Sequence, residues 1–176
     1  TGIGLFPDVG GGWHLPRLPG KSGLWLALTG ARIKAADCEL LGLATDFIPS
    51  DRLVALKAQI IADPAAVETH RTLLEADAGR PPIGAHRDEM DHLFAGDSVE
   101  AIFAALEADG GEWASAQLAT LKTKSPQTLK VAFRQLALGA QAETFAENME
   151  MEYRIGARVV GLYDFIEGVR AVIIDK

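Results

Sequence analysis

Cysteine and long apolar runs are what this sequence has least of. A single cysteine, Cys38, stands among 176 residues, so no disulfide can close within the chain and no set of thiolates can hold zinc. It is expected as a small side chain in the helix that carries Leu40 and Leu41. No apolar run reaches the roughly eighteen residues of a membrane-spanning helix, which argues against a membrane partner. Positive charge is also short, with 17 Lys and Arg against 24 Asp and Glu and a net charge of −7. Such a chain is a poor match to the phosphate backbone of a nucleic acid. Repeats and low-complexity tracts are missing too. The sequence opens without a Met, a signal-like segment or a polar lead. The expectation is an active-site rim whose upstream half is absent.

What is present suits a folded chain, with 48% hydrophobic and 23% charged residues, enough for a sizeable core. Charge is uneven: residues 63–112 hold three basic and twelve acidic side chains, and residues 113–142 hold four basic and no acidic ones. The basic block Lys122, Lys124, Lys130 and Arg134 reads first as a solvated helix face. Contact with a polyanionic ligand is the alternative.

Periodicity predicts mainly helices. Lys21–Thr29 and Lys34–Leu41 read as short helices closed by Gly30 and Gly42. Ala44–Ile48 is the best strand candidate. Ser50 is expected to cap a helix with Leu53, Leu56 and Ile60 on one face, and Asp63-Pro64 opens another. Arg80-Pro-Pro-Ile-Gly84 reads as a linker. Ser98 precedes the apolar positions Val99, Ile102, Phe103 and Leu106. Ser125-Pro126 starts a helix with Leu129, Phe133 and Leu136 on one side and Lys130 and Arg134 on the other. Two final stripes, Phe145, Met149, Tyr153, Gly156, Val160, Tyr163 and then Phe165, Val169, Val172, Ile173, are expected to be core or partner-facing.

The densest signal lies in the first stretch, where seven of the first 23 residues are glycine and Asp8 is the only charged side chain before Arg17. An acid between Pro7 and Val9 in such a loop has two readings. It caps the turn or helix that follows, or it meets a substrate group. Other constellations are weaker. His86, Asp88, Glu89, Asp91 and His92 look like metal ligands, but histidines six apart do not share a helix face, so no metal is expected. His14 reads as structural before it reads as substrate-binding. Ser125 has no acid-base neighbours that would make it a nucleophile. Gly10, Gly11 and Gly12 lack the strand-first context of a dinucleotide loop and suit close backbone packing.

The run Thr1–Gly12, with Leu15-Pro-Arg-Leu-Pro-Gly-Lys21, Ala27-Leu-Thr-Gly-Ala-Arg32 and Leu41-Gly-Leu-Ala-Thr45, resembles the second half of the crotonase (enoyl-CoA hydratase/isomerase) superfamily. Lys124–Val131 with Arg134-Gln-Leu136, Met151-Glu-Tyr-Arg154 and Asp164–Ala171 resemble its 3-hydroxyisobutyryl-CoA hydrolase branch. The resemblance covers most of the chain except about Ala62–Gly110. It implies a mainly α fold, the C-terminal part of a crotonase-type α/β spiral core plus its C-terminal helices, with one or two short strands. On this resemblance residues 1–62 form the end of the core with the active-site rim, and residues 63–176 a C-terminal helical region.

The resemblance also implies the chemistry. A thioester carbonyl gains negative charge as it is attacked, and two amide donors stabilise that oxyanion by about a few kcal/mol each. In the family these donors, and a catalytic glutamate at the end of a Pro-Glu pair, come from before the Thr1 position. The family acid that this chain carries is Asp8, expected to bind or orient the 3-hydroxyl of the substrate or to help position water. No cofactor is expected, since coenzyme A is part of the substrate. The expected partners are an acyl-CoA, the upstream half of the same protein or a second copy. The expected setting is valine catabolism, in the cytoplasm of a bacterium or the mitochondrial matrix of a eukaryote. Two other readings stay open: part of a hydratase or isomerase, and a non-catalytic helical interaction module.

Overall fold

The computed structural model describes residues 2–175; the first residue of the family run, Thr1, and the terminal Lys176 lie outside the described residues. Eleven α-helices follow one another among them. They are α1 (Gly11–His14), α2 (Ser22–Thr29), α3 (Ala35–Leu40), α4 (Leu53–Ala62), α5 (Val67–Leu74), α6 (Arg87–Leu93), α7 (Val99–Asp109), α8 (Glu112–Lys122), α9 (Pro126–Gly139), α10 (Phe145–Val159) and α11 (Tyr163–Val169). The chain is mainly α, as the sequence implies. The strand expected at Ala44–Ile48 is reduced to one antiparallel bridge between Phe47 and Ala76. Among the described residues that segment has no second strand to complete a ladder, so no regular strand forms beyond the bridge.

Compactness divides the chain into Thr1–Arg32 with His86–Lys176 as one unit and Ile33–Ala85 as the other. The division at residues 62/63 is what the resemblance implies.

In the first unit Leu28, Met90, Phe94, Ile102, Leu106, Leu121 and Leu129 are almost fully buried. Each contributes about 1.5–3 kcal/mol through removal from water. Helices α7 and α9 begin as their sequences predict. The Ser98 hydroxyl accepts the Ala101 N–H at 3.2 Å, and the Ser125 hydroxyl accepts the Thr128 N–H at 3.0 Å. Val99, Ile102 and Leu106 then fall on the inner face of α7. On α9, Leu129 and Leu136 are buried while Lys130 and Arg134 are exposed. Indoles close one end of this core: Trp113 lies against Trp25 and Phe94, and the His86 ring stacks on it at 5.4 Å. The Trp25 N–H is satisfied by Gln117 Oε1 at 2.8 Å.

In the second unit, Asp37 is a buried acid that ties backbone together. Its two oxygens accept the Lys34 N–H at 3.3 Å and the Ile83 N–H at 3.1 Å. Ile83 is therefore buried inside a 3₁₀ turn over Pro82–His86, where the sequence suggests only a linker. Ser50 does not cap α4 through its side chain; Arg52 stands at the cap position. Leu56 and Ile60 are half-buried on α4 and Leu53 is exposed. Asp63 does cap the turn after α4, accepting the Ala65 N–H at 3.2 Å. Cys38 is half-buried on α3. No helix of the described residues is long and apolar enough to cross a membrane.

Candidate functional site

Bare amides create the problem that this site solves. A glycine-rich stretch exposes N–H and C=O groups that no side chain shields, and a buried one without a partner is costly. Over residues 7–12 the backbone turns sharply. Val9 has φ of 47° and Gly10 has φ of 92°. The left-handed region is natural for Gly10. For a β-branched residue such as Val9 it costs about 1–3 kcal/mol and persists only where surrounding contacts impose it.

Those contacts come from α9 and α10. Glu152, 4% exposed, accepts the Gly10 N–H through Oε2 and the Gly12 N–H through Oε1, both at 2.9 Å. Asn148 donates its amide to the same Oε1 at 2.9 Å. From α9, Gln135 donates to the Pro7 carbonyl at 2.6 Å. Desolvating a carboxylate costs several kcal/mol. Three N–H donors on two oxygens offset that cost without a counter-ion. The arrangement needs glycine at its centre. A Cβ on Gly12 would lie 2.6 Å from Asn148 Oδ1 and 2.9 Å from Gln135 Nε2, and one on Gly139 would collide with the Gly12 carbonyl.

Asp8 and Val9 form the exposed apex of this turn, with Val9 86% exposed. The Asp8 carbonyl accepts the Gly11 N–H at 2.9 Å. Gly10, not Asp8, stands at the cap position of α1, and that helix has no side-chain cap. The capping reading of Asp8 therefore finds no hydrogen bond among the described residues, and its carboxylate stays open to solvent.

Neighbouring side chains fix the flanks. The Arg17 guanidinium lies 3.5 Å over the Trp13 ring. It donates to the carbonyls of Trp13, Gly139 and Ala142 at 2.7, 2.9 and 3.0 Å. His14 is exposed, with its ring 6.1 Å from Phe145. On the other side of the glycines, Thr128 donates to the Gly4 carbonyl at 2.9 Å. The Ser125 hydroxyl bonds the Asp164 carboxylate.

In two groupings singled out in the sequence, some members make ion pairs or hydrogen bonds. Of the basic block, Lys122 pairs with Glu107 at 3.0 Å and Lys130 with Glu100 at 2.5 Å. The Lys130 hydrogen bond holds the Glu100 carboxyl below its ordinary range. Of the His/Asp/Glu cluster, His86 pairs with Glu89 at 2.6 Å and Asp91 accepts the Lys21 N–H at 2.6 Å.

The apolar stripe expected on α10 is turned outward. Phe145, Met149, Tyr153 and Val160 are exposed, and the buried positions are Asn148, Glu152 and Val159. Of the second stripe, Phe165 and Val169 are half-buried while Val172 and Ile173 are exposed. The stripes are thus not core here. The inner face of α10 is polar because the glycine amides it meets require acceptors.

Sequence reasoning singled out Asp8 but missed Glu152, Asn148 and Gln135. The available signal was an Asn and a Glu four residues apart, hence on one helix face, in a chain whose glycine loop needed partners.

The whole chain, residues 1–176, matches the family model described as enoyl-CoA hydratase/isomerase. It is 44% identical over 185 residues to a protein named 3-hydroxyisobutyryl-CoA hydrolase, mitochondrial, from Xenopus tropicalis, covering 100% of this chain and 48% of that protein. Among solved structures it resembles a carnitinyl-CoA dehydratase from Mycobacterium thermoresistibile, with a TM-score of 0.93 and 32% identity over 98% of this chain and 50% of that one. It also resembles an enoyl-CoA hydratase from Rhodobacter sphaeroides 2.4.1, with a TM-score of 0.86 and 38% identity over 99% of this chain and 50% of that one. The chain thus spans about half the length of the relatives it matches.

Proposed function

The chain belongs to the enoyl-CoA hydratase/isomerase family, and from that premise we propose that it forms one wall of an acyl-CoA site, with Asp8 as the acid presented to the substrate. The reaction proposed is hydrolysis of the thioester of 3-hydroxyisobutyryl-CoA, a step of valine breakdown. The observation that carries this reading is the Asp8 carboxylate itself, exposed and uncapped at the apex of a strained turn that buried side chains hold in place. The 44% identity to a hydrolase supports hydrolysis over hydration.

Asp8 accepts a hydrogen bond from the 3-hydroxyl of the acyl group, or orients the attacking water. The oxyanion donors and the catalytic glutamate lie in the part of the protein that corresponds to the rest of the relatives' length. That part is also the proposed cover of the outward apolar stripe of α10, with a second copy as the competing occupant. The isolated 176-residue chain is therefore silent as a thioesterase, and measurable turnover by it would contradict this division of labour. The proposed location is the mitochondrial matrix in a eukaryotic host and the cytoplasm in a bacterial one.

A hydratase reading is favoured by the two similar solved structures, a carnitinyl-CoA dehydratase and an enoyl-CoA hydratase. Turnover of 3-hydroxyisobutyryl-CoA against crotonyl-CoA by the whole protein separates the two. Faster release of free coenzyme A from the former supports the hydrolase, and preferred hydration of the latter overturns it.

A further inference from the structure

We propose that Glu152 is a positioning residue for Asp8: it fixes the shape of the turn that presents the acid, and acts on the reaction only through it. This rests on the reading of Asp8 as the acid that meets substrate. The turn is held at Pro7 by Gln135, at Gly10 by Glu152 Oε2 and at Gly12 by Glu152 Oε1. The residues of residues 7–12 left exposed are Asp8 and Val9. The clamp thus restrains the backbone on both sides of the acid and leaves its carboxylate free.

Packing alone does not account for this residue. A buried aliphatic side chain would fill the same space without the desolvation of a carboxylate. Here both oxygens are committed to amides two residues apart, that of Gly10 within the left-handed pair Val9 and Gly10 and that of Gly12 just beyond it. A carboxylate is the side chain that can accept from both amides and from Asn148 at once. A Gln at this position keeps the size but places an NH₂ where one N–H must be accepted, so one flank of the turn is released.

The test is a double-mutant cycle in the whole protein that carries this chain, with 3-hydroxyisobutyryl-CoA as substrate. Glu152→Gln is expected to lower kcat about tenfold with KM changed less than about threefold, since a small misplacement of a reacting group acts on the transition state more than on binding. Gln135→Met, which frees the Pro7 carbonyl, is expected to do the same more weakly and serves if Glu152→Gln does not fold. The decisive comparison is non-additivity: Asp8→Asn/Glu152→Gln should be no slower than Asp8→Asn alone. Hydrogen exchange at the Gly10 and Gly12 amides should quicken in Glu152→Gln and stay at the wild-type rate in Asp8→Asn.

Wild-type kcat in a folded Glu152→Gln, or losses that multiply in the double variant, overturn the positioning role. If Asp8→Asn alone turns over at the wild-type rate, the assignment of Asp8 fails instead. The exchange rates then show separately whether the clamp exists.

Discussion

Gly12 is where a single methyl group would press directly on the buried polar cluster. Its Cβ would meet Asn148, Gln135 and Glu152 together, so Gly12→Ala should cost about 1–3 kcal/mol as overpacking, read as a lower urea midpoint. Gly2→Ala, with nothing within 4 Å of its added Cβ, should stay within about 0.5 kcal/mol. Equal losses at the two positions would remove the buried polar cluster from the account. Asp8 stands out in the sequence as a candidate because an isolated charge in a glycine-rich stretch is conspicuous by composition. Glu152 was not, since a glutamate on an amphipathic helix is ordinarily on the wet side. Only the three-dimensional demand of the Gly10 and Gly12 amides brings it inside.

Two helix starts were directly legible, because a cap is a local hydrogen bond that needs no tertiary context, although the cap expected from Ser50 is absent. Ser98 and Ser125 cap α7 and α9 through their hydroxyls. Ser98→Ala should therefore lower stability by about 1 kcal/mol. Ser125→Ala should cost more, because the same hydroxyl also bonds Asp164 at the start of α11. Thermal melts of the two variants in parallel test this order, and a Ser98→Ala loss equal to or larger than that of Ser125→Ala contradicts it. Helix faces were harder. The 3.6-residue pattern located α10 correctly but left Phe145, Met149 and Tyr153 as either core or partner-facing; they are exposed, and Asn148, Glu152 and Val159 are the buried positions. Periodicity finds the helix, but what it packs against decides which stripe is inside. The strand expected at Ala44–Ile48 failed for a related reason. A strand needs a partner ladder, and only the Phe47–Ala76 bridge is present among the described residues.

For the molecule as a whole, the fold class was legible from helical patterning, and the family from blocks of residues in order. The pairing of the glycine turn with α9 and α10 was not, because it joins residues more than 120 positions apart. The core of the first unit sets its stability. Leu106→Ala, at a residue with no exposed surface, should destabilise by about 2–5 kcal/mol without altering the Asp8 turn. Normal turnover per folded molecule at low temperature is the corresponding kinetic expectation, and lost turnover in a fully folded Leu106→Ala would contradict it. The central claim is that Asp8, held at the apex of the clamped turn, serves thioester hydrolysis. The most direct measurement is steady-state hydrolysis of 3-hydroxyisobutyryl-CoA by the whole protein and its Asp8→Asn variant, with a melting curve for each. The account predicts turnover lowered by about tenfold or more at an unchanged melting temperature. Unchanged turnover in an equally stable variant would contradict it.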